Sequence, residues 1–360
     1  MPLLPARRRL PALLATALVG LVGATATACG GSAGADGGGE VTTIRYQSGA
    51  GSLDPLELAD ALGYLDGLTL DKVGDVQGGP ESLQALATGQ IDISASAFYG
   101  ATAKLVASGV PIKAVVSTYG SNDEVSASVV TLEDSGVREA EDLVGRKVAV
   151  NTLGANAEAV LDTYLQSEGL SQDQIDQVTL VPLPALNSEA ALREGQVDAA
   201  YMSRGALDNA KKNGGIRVLA EDVDFVGPYN GGGFHLTERF IQQNPTTTRT
   251  LVAGVARANE YIATHSREEV LDVIGEYQTK HGREDYLEPL QIWPGTNGVA
   301  TEGGVIRDQD VTIWLDWLES EGEVDTGDIT PEDVFTNEFN PYADGAGTDP
   351  GTGTGTEEDQ

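Results

Sequence analysis

The feature that most limits what this chain can fold into is a phrase that occurs twice. Residues 85–92 read ALATGQID and residues 191–198 read ALREGQVD, with Gly89 and Gly195 standing 106 positions apart. In the first copy Pro80 sits at a first helical position and Glu81 in the first turn. Leu83, Leu86 and Ala87 then share one helical face. In the second copy Asn187 or Ser188 caps the helix and Leu192 points inward. Gly89 and Gly195 supply the left-handed residue that ends a helix, and IDISASA and VDAAYM follow as short strands. Asp92 and Asp198, the repeated acids, read as structural cap or turn contacts.

The similarity spreads both ways. GVPIKAVV (109–116) matches NGGIRVLA (213–220), and TTIRYQSGA (42–50) matches RKVAVNTLGA (146–155). After the latter pair come two helical runs, LDPLELADALGYL and NAEAVLDTYLQSEGL, the second with Ala159, Val160, Tyr164 and Leu165 inward. Strands alternating with crossover helices predict a mostly parallel α/β sheet in each copy. The expected fold is therefore α/β and two-lobed, two mostly parallel sheets flanked by helices with a cleft between lobes. Ligands of parallel sheets bind beyond the carboxyl ends of the strands, here the loops 47–52, 77–82, 94–99, 151–156, 184–188 and 201–204. All are small or polar, and Arg204 is the one Arg or Lys in them.

The 360 residues, 40% of them hydrophobic, suffice for two ordinary domains, and a formal charge of −33 argues against nucleic acid and anionic membrane surfaces as partners. Arg7, Arg8 and Arg9 precede an apolar run from Leu10 to Val22 and then small residues, the pattern of a secretory signal over 1–28. Cys29, the sole cysteine, excludes an internal disulfide and a cysteine zinc site. It directly follows Ala26-Thr27-Ala28, which resembles a bacterial lipobox with Ala26 where Leu is more usual. A lipidated Cys29 would anchor the chain to the outer leaflet of the cell membrane, with 29–40 as a flexible tether. Residues 343–360 read as a disordered acidic tail. Between them, 229–342 has no counterpart in the repeat. Leu251, Val255, Ala258 and Ile262 share a face of one helix, Trp314 and Trp317 lie on another as packing residues, and the segment is expected to pack back on the first lobe.

Catalysis finds little support. His235, His265 and His281, the only histidines, lie outside the loops above, and no nucleophile elbow, P-loop or metal spacing occurs. No cofactor is expected. The loops instead suit capture of a small anion. Helices starting after Ser48-Gly49, Gly79-Pro80 and Gly154-Ala155 would offer free N–H groups and the positive end of the helix dipole. Gln47, Gly51, Ser82, Ser96, Thr152 and Asn156 would add short polar contacts, and Arg204 a guanidinium, unless it pairs with Asp208 on the helix surface. Tyr99, Tyr201 and Tyr229 could instead flank a flat ring.

The ordered set of RYQSG, GGPESLQALATGQIDIS, GVPIKAVV, AEDLVGRKVAVNTLGANAEA and ALREGQVDAAYM, behind a lipobox, resembles the solute-binding proteins of bacterial ABC importers, of the nitrate, sulfonate and taurine type. The resemblance covers about residues 42–275. It implies a type II periplasmic-binding fold, with lobe 1 made of 41–134 and 231–342 and lobe 2 of 135–230. The hinge would be SVVTLED and GGGFHLT. It further implies a monomer that closes on a small solute and delivers it to the transmembrane subunits of a permease. A sulfonate, taurine or nitrate is the first expectation. A pyrimidine precursor of thiamine is the alternative, because a Trp and Pro common in sulfonate binders are replaced here by Met202, Ser203, Arg204 and Gly205. A receptor-coupled sensor is the rival outside transport. An enzyme on the same fold is disfavoured, since the cysteines of the related thiamine-pyrimidine synthases have no counterpart.

Overall fold

Twice the chain lays down strands and crossover helices, and then it returns to the first half. A computed structural model describes residues 39–49, 53–76, 78–322 and 329–344. The signal, Cys29, Gly51 and the tail past 344 lie outside these residues. The first half runs β1 (Thr43–Ser48), α1 (Pro55–Ala61), β2 (Thr69–Asp75), α2 (Gly79–Ala87), β3 (Ala97–Phe98), α3 (Tyr99–Ala107) and β4 (Ile112–Ser121). The second runs β5 (Ala127–Leu132), β6 (Lys147–Val150), α4 (Asn156–Ser167), α5 (Gln172–Ile175), β7 (Thr179–Pro182), α6 (Ser188–Arg193), β8 (Ala199–Ser203), α7 (Arg204–Asn213), β9 (Ile216–Glu221) and α8 (Asp222–Val226). The return comprises β10 (Tyr229–Thr237), α9 (Glu238–Gln243), α10 (Pro245–Thr264), α11 (Arg267–Lys280), α12 (Leu287–Leu290), α13 (Asp308–Ser320) and α14 (Pro331–Val334).

The second lobe is one sheet in the order β7-β6-β8-β5-β9, with β6 parallel to β7 and β8, and β5 antiparallel to both its neighbours. The first lobe repeats this plan in two pieces, β1-β2 and β3-β10-β4. The pieces are stitched by residues 92–94, whose amides donate to Arg45 and His235 carbonyls. IDISASA is thus only a two-residue strand at Ala97–Phe98, preceded by irregular backbone. In each lobe the antiparallel strand comes from the other pass of the chain. β5 leads into the second lobe and β10 follows it. The expected hinge segments SVVTLED and GGGFHLT are therefore largely these two sheet strands, β5 and β10. The chain passes between sheets at 122–126 and 222–228, and strand pairing assigns 127–132 to the second sheet rather than to the first lobe.

The repeated phrase does the same mechanical work in both lobes. Gly89 and Gly195 adopt φ of 71° and 69°, and Gln90 and Gln196 close each helix by donating to Ala85 and Ala191 carbonyls at 2.9 Å. The carboxylate of Asp92 accepts the amide of Arg45 at 2.9 Å, and that of Asp198 accepts the amide of Lys147 at 2.9 Å. Each Asp amide returns the bond to the same residue's carbonyl. Arg45 and Arg146 then pair with the two carboxylates at 2.7 and 3.3 Å. The acids thereby lock the third segment of each unit onto the first.

Helix α10 starts at Pro245 and buries Leu251, Val255, Ala258 and Ile262 against α1 and the first sheet. Helix α13 packs on α3, as expected of the return segment, but it also reaches the second lobe. Trp314, Trp317 and Leu318 share a cluster with Phe98, Tyr229 and, from α4, Ala159 and Val160. Trp317 Nε1 donates to Asp162 of α4 at 3.2 Å. Burial of each such large side chain contributes roughly 1.5–3 kcal/mol, so α13 fastens the two lobes together beside the crossings.

Candidate ligand-binding cleft

The carboxyl ends of the parallel strands of both sheets carry loops that meet across the lobes. A side chain placed on Gly78, before α2, would touch Thr152 Cγ2 at 3.2 Å. Helices α2 and α4 start from these two touching loops, and neither N-terminus is capped by a side chain: the N-caps are Gly78 and Ala155. Gly154 has φ 67°, and its amide is taken by Glu158 at 2.7 Å. Helix α7, also uncapped, begins beside Ile292 of the return segment.

Three sequence-predicted residues converge at the base of the seam. Asn156, the first residue of α4, accepts from Tyr201 at 3.0 Å and donates to Tyr229 Oη at 3.3 Å. Tyr229 in turn donates to Asp222 at 3.0 Å. Asp222 also accepts from Ser121 at 2.6 Å and from the Ala127 amide at 3.0 Å, so both crossings and both lobes share one network. Burial raises the carboxyl of Asp222, while these donors oppose the rise.

Others of the expected set are engaged in the structure itself. Ser48 is buried and donates to Glu57 at 2.8 Å; Glu57 also accepts from Tyr46 at 2.9 Å and Arg283 at 2.6 Å. The helix after Ser48-Gly49 is α1, only seven residues long, and Asp54 already caps it. Ser82 is fully buried and accepts the Ala95 amide at 2.7 Å. Tyr99 is fully buried with its hydroxyl on Ser117 at 2.7 Å, so it belongs to the core rather than to a ring-binding wall. Ser96 shares a hydrogen bond with Thr118 at 2.7 Å. Gly49 and Gly79 are close-approach sites, since a Cβ on either would come within 2.7 Å of Val76 or Ala97 main-chain atoms. Gln47, one residue before Ser48 and so on the opposite face of β1, has a buried amide oxygen with no partner among the described residues. Arg204 is placed at the first position of α7, at the seam.

Sequence reasoning missed Tyr119. This half-buried ring lies across β10: a Cβ on Gly231 would meet its Cε2 at 2.7 Å, and one on Gly232 its Oη at 2.7 Å. The signal in the sequence is the run Gly231-Gly232-Gly233, which the resemblance places in the hinge. Asp222 and Ile292 were missed because their roles arise only from contacts distant in the chain. Two shallow grooves, of about 520 and 300 Å³, lie along α11 and beside β2, lined by Leu271 and Gly275 in one and by Lys72 and Tyr286 in the other. Neither touches the seam, where the loops of both lobes converge. Among the described residues no group of three metal-ligating side chains occurs, and no helix is long and apolar enough to cross a membrane.

This is the two-lobed type II periplasmic-binding fold, and solved structures share it. A protein from Bordetella bronchiseptica RB50 is 22% identical, with TM-score 0.68 over 85% of this chain and 98% of its own. The alkanesulfonate-binding protein SsuA of Xanthomonas axonopodis pv. citri, bound to MOPS, is 19% identical, with TM-score 0.62 over 83% and 99%. The periplasmic nitrate-binding protein NrtA of Synechocystis PCC 6803 is 13% identical, with TM-score 0.63 over 85% and 89%. Within this class the chain belongs to the NMT1/THI5-like family, which residues 54–269 match. No curated protein matches it.

Proposed function

We propose that the chain is the extracytoplasmic solute-binding component of an ABC importer, not an enzyme. It holds a small organic anion between the lobes and delivers it to the permease. The lobes move about the crossings at 122–126 and 222–228. The observation that carries the anion is the meeting of α2 and α4, two uncapped helix N-termini from different lobes. The dipole ends favour negative charge there, and a bound anion would take the place of the Glu158 carboxylate that holds the Gly154 amide. Arg204 at the start of α7 would add the cation. The protein's −33 charge opposes anion capture, and salt screens that field beyond about 8 Å, so the local donors must prevail at contact range. The sulfonate and nitrate binders among the structural relatives fit this reading.

A second reading, a neutral ring such as a pyrimidine precursor of thiamine, is favoured by the buried oxygen of Gln47, which lacks a donor among the described residues, and by Tyr119 and Tyr201 near the seam. A thermal-shift screen of nitrate, alkanesulfonates, carboxylates and pyrimidines decides between them, followed by calorimetry with Arg204→Ala. An anion whose affinity falls about tenfold or more in that variant supports the first reading. A pyrimidine bound equally by wild type and variant replaces it. Lipid anchoring through Cys29 is part of the proposal. Mass spectrometry of membrane-fraction protein should find a diacylglyceryl group on an N-terminal Cys29, and an unmodified N-terminus elsewhere would refute it.

A further inference from the structure

Position 205 has no room for any side chain. Gly205 lies in the first turn of α7, outside the left-handed region, so nothing in its own backbone calls for glycine. A Cβ there would stand 2.6 Å from the carbonyl carbon of Ile292, and closer still to its oxygen. Real Cβ atoms do not approach main chain so closely, and main chain cannot swing aside as the end of a side chain can. Ile292 belongs to the return segment of the first lobe, following α12, while α7 belongs to the second. The N-terminus of α7, the positive end of its dipole, is thus seated directly on a carbonyl of the opposite lobe. Gly78 and Thr152 make the other close approach, between the β2–α2 and β6–α4 loops.

We infer that Gly205 is the positioning residue for lobe closure: its missing side chain lets α7 dock on the Ile292 carbonyl, and any larger residue holds the cleft open. The inference rests on the solute-binding reading for its purpose, though not for its geometry. Closure needs two arrangements of the same lobes. A contact that the closed one tolerates only with glycine sets their balance.

The seam supplies its own reporter. The Cβ position of residue 78 lies 3.6 Å from Thr152 Cβ, within the 3.5–4.5 Å range for a disulfide. The pair Gly78→Cys with Thr152→Cys, with Cys29→Ser to leave only these thiols, should therefore oxidise readily in the closed arrangement. Adding Gly205→Ala, and more so Gly205→Val, should slow that oxidation about tenfold or more by depopulating the closed form. Gly275→Ala on the surface of α11, where a Cβ meets only Leu287 at 3.8 Å, should leave the rate unchanged. Equal rates with valine and glycine at 205 overturn the inference. Because the 205 variants could lose the fold, a measurement on native Gly205 stands beside them. In the protein carrying only the two introduced thiols, oxidation should slow amide exchange at 205–207 and 290–293 together, and unchanged exchange there also overturns it. Nitrate, ethanesulfonate and a pyrimidine are tested on the protein with native Gly78 and Thr152 by thermal shift. If none binds there while Gly205→Val slows oxidation in the double-cysteine protein, the solute reading loses its support and the seam stands.

Discussion

Replacing Asp162 by asparagine should stabilise the protein, by an amount that grows with pH. Asp162 lies in α4 under α13, only 6% exposed, and accepts from Trp317 Nε1 at 3.2 Å. Burial above all, then the charge of Glu321 and to a lesser extent Glu158 and Asp176, holds its carboxyl up at about 8 against the lowering effect of the Trp317 bond. The ordinary value is 3.8, so between roughly pH 4 and 8 the folded protein holds a proton that the unfolded chain has lost. Stability from this group is fully present below pH 4 and falls as pH rises, by about 1.36 kcal/mol per unit. At pH 7 the accumulated loss approaches ~4 kcal/mol. Asparagine cannot ionise, and its amide oxygen can still accept from Trp317. Urea unfolding of both proteins at pH 4.5, 5.5, 6.5 and 7.5 gives the difference directly, and subtraction cancels the other acids. The difference should climb across the series in favour of the Asp162→Asn protein and level off above pH 8. A difference constant within about 0.5 kcal/mol would refute the reasoning, since a buried carboxylate that stayed ionised throughout would give no slope.

Asp92→Ala and Asp198→Ala should each cost ~1–3 kcal/mol in urea unfolding by orphaning a strand amide. The Asp92 change should cost more, because its side chain is 14% exposed against 34% and Arg45 grips it through both Nε and Nη2; the reverse order would contradict the assigned contacts. Ser82→Ala should lower stability by ~1–3 kcal/mol, leaving the Ala95 amide unpaired, without changing affinity for a solute found in the screen. A selective loss of affinity would return Ser82 to the site. His235 is buried between Ser94 and Thr102, and burial pulls its pKa down to about 3. Its ring should stay neutral in NMR titration from pH 8 to 5. Its contribution to stability is lost only as pH falls below 6.5 toward 3, the opposite direction to Asp162, and a midpoint near 6.5 would show that the ring is solvated.

The sequence by itself determined the doubled α/β plan, because its signals are local: helical periodicity around Leu83 and Leu192, the positive-φ turns at Gly89 and Gly195, and an acid three residues after each turn. It also marked Asn156, Tyr201 and Tyr229, which the fold brings into one network. Only the tertiary structure decided which polar side chains face the cleft. Ser48 is held by Glu57, which is also tied to Arg283 far along the chain, and Ser82 by a loop amide. No short window can show such competition, because a hydroxyl accepts whatever partner the packed core brings. Tertiary structure also set the exchange of β5 and β10, since an apolar strand carries no mark of the sheet it will join. It turned Gly231-Gly232-Gly233 into the bed for Tyr119 and Gly205 into the seat for Ile292, because the space a glycine leaves has meaning only when the atom that fills it is known.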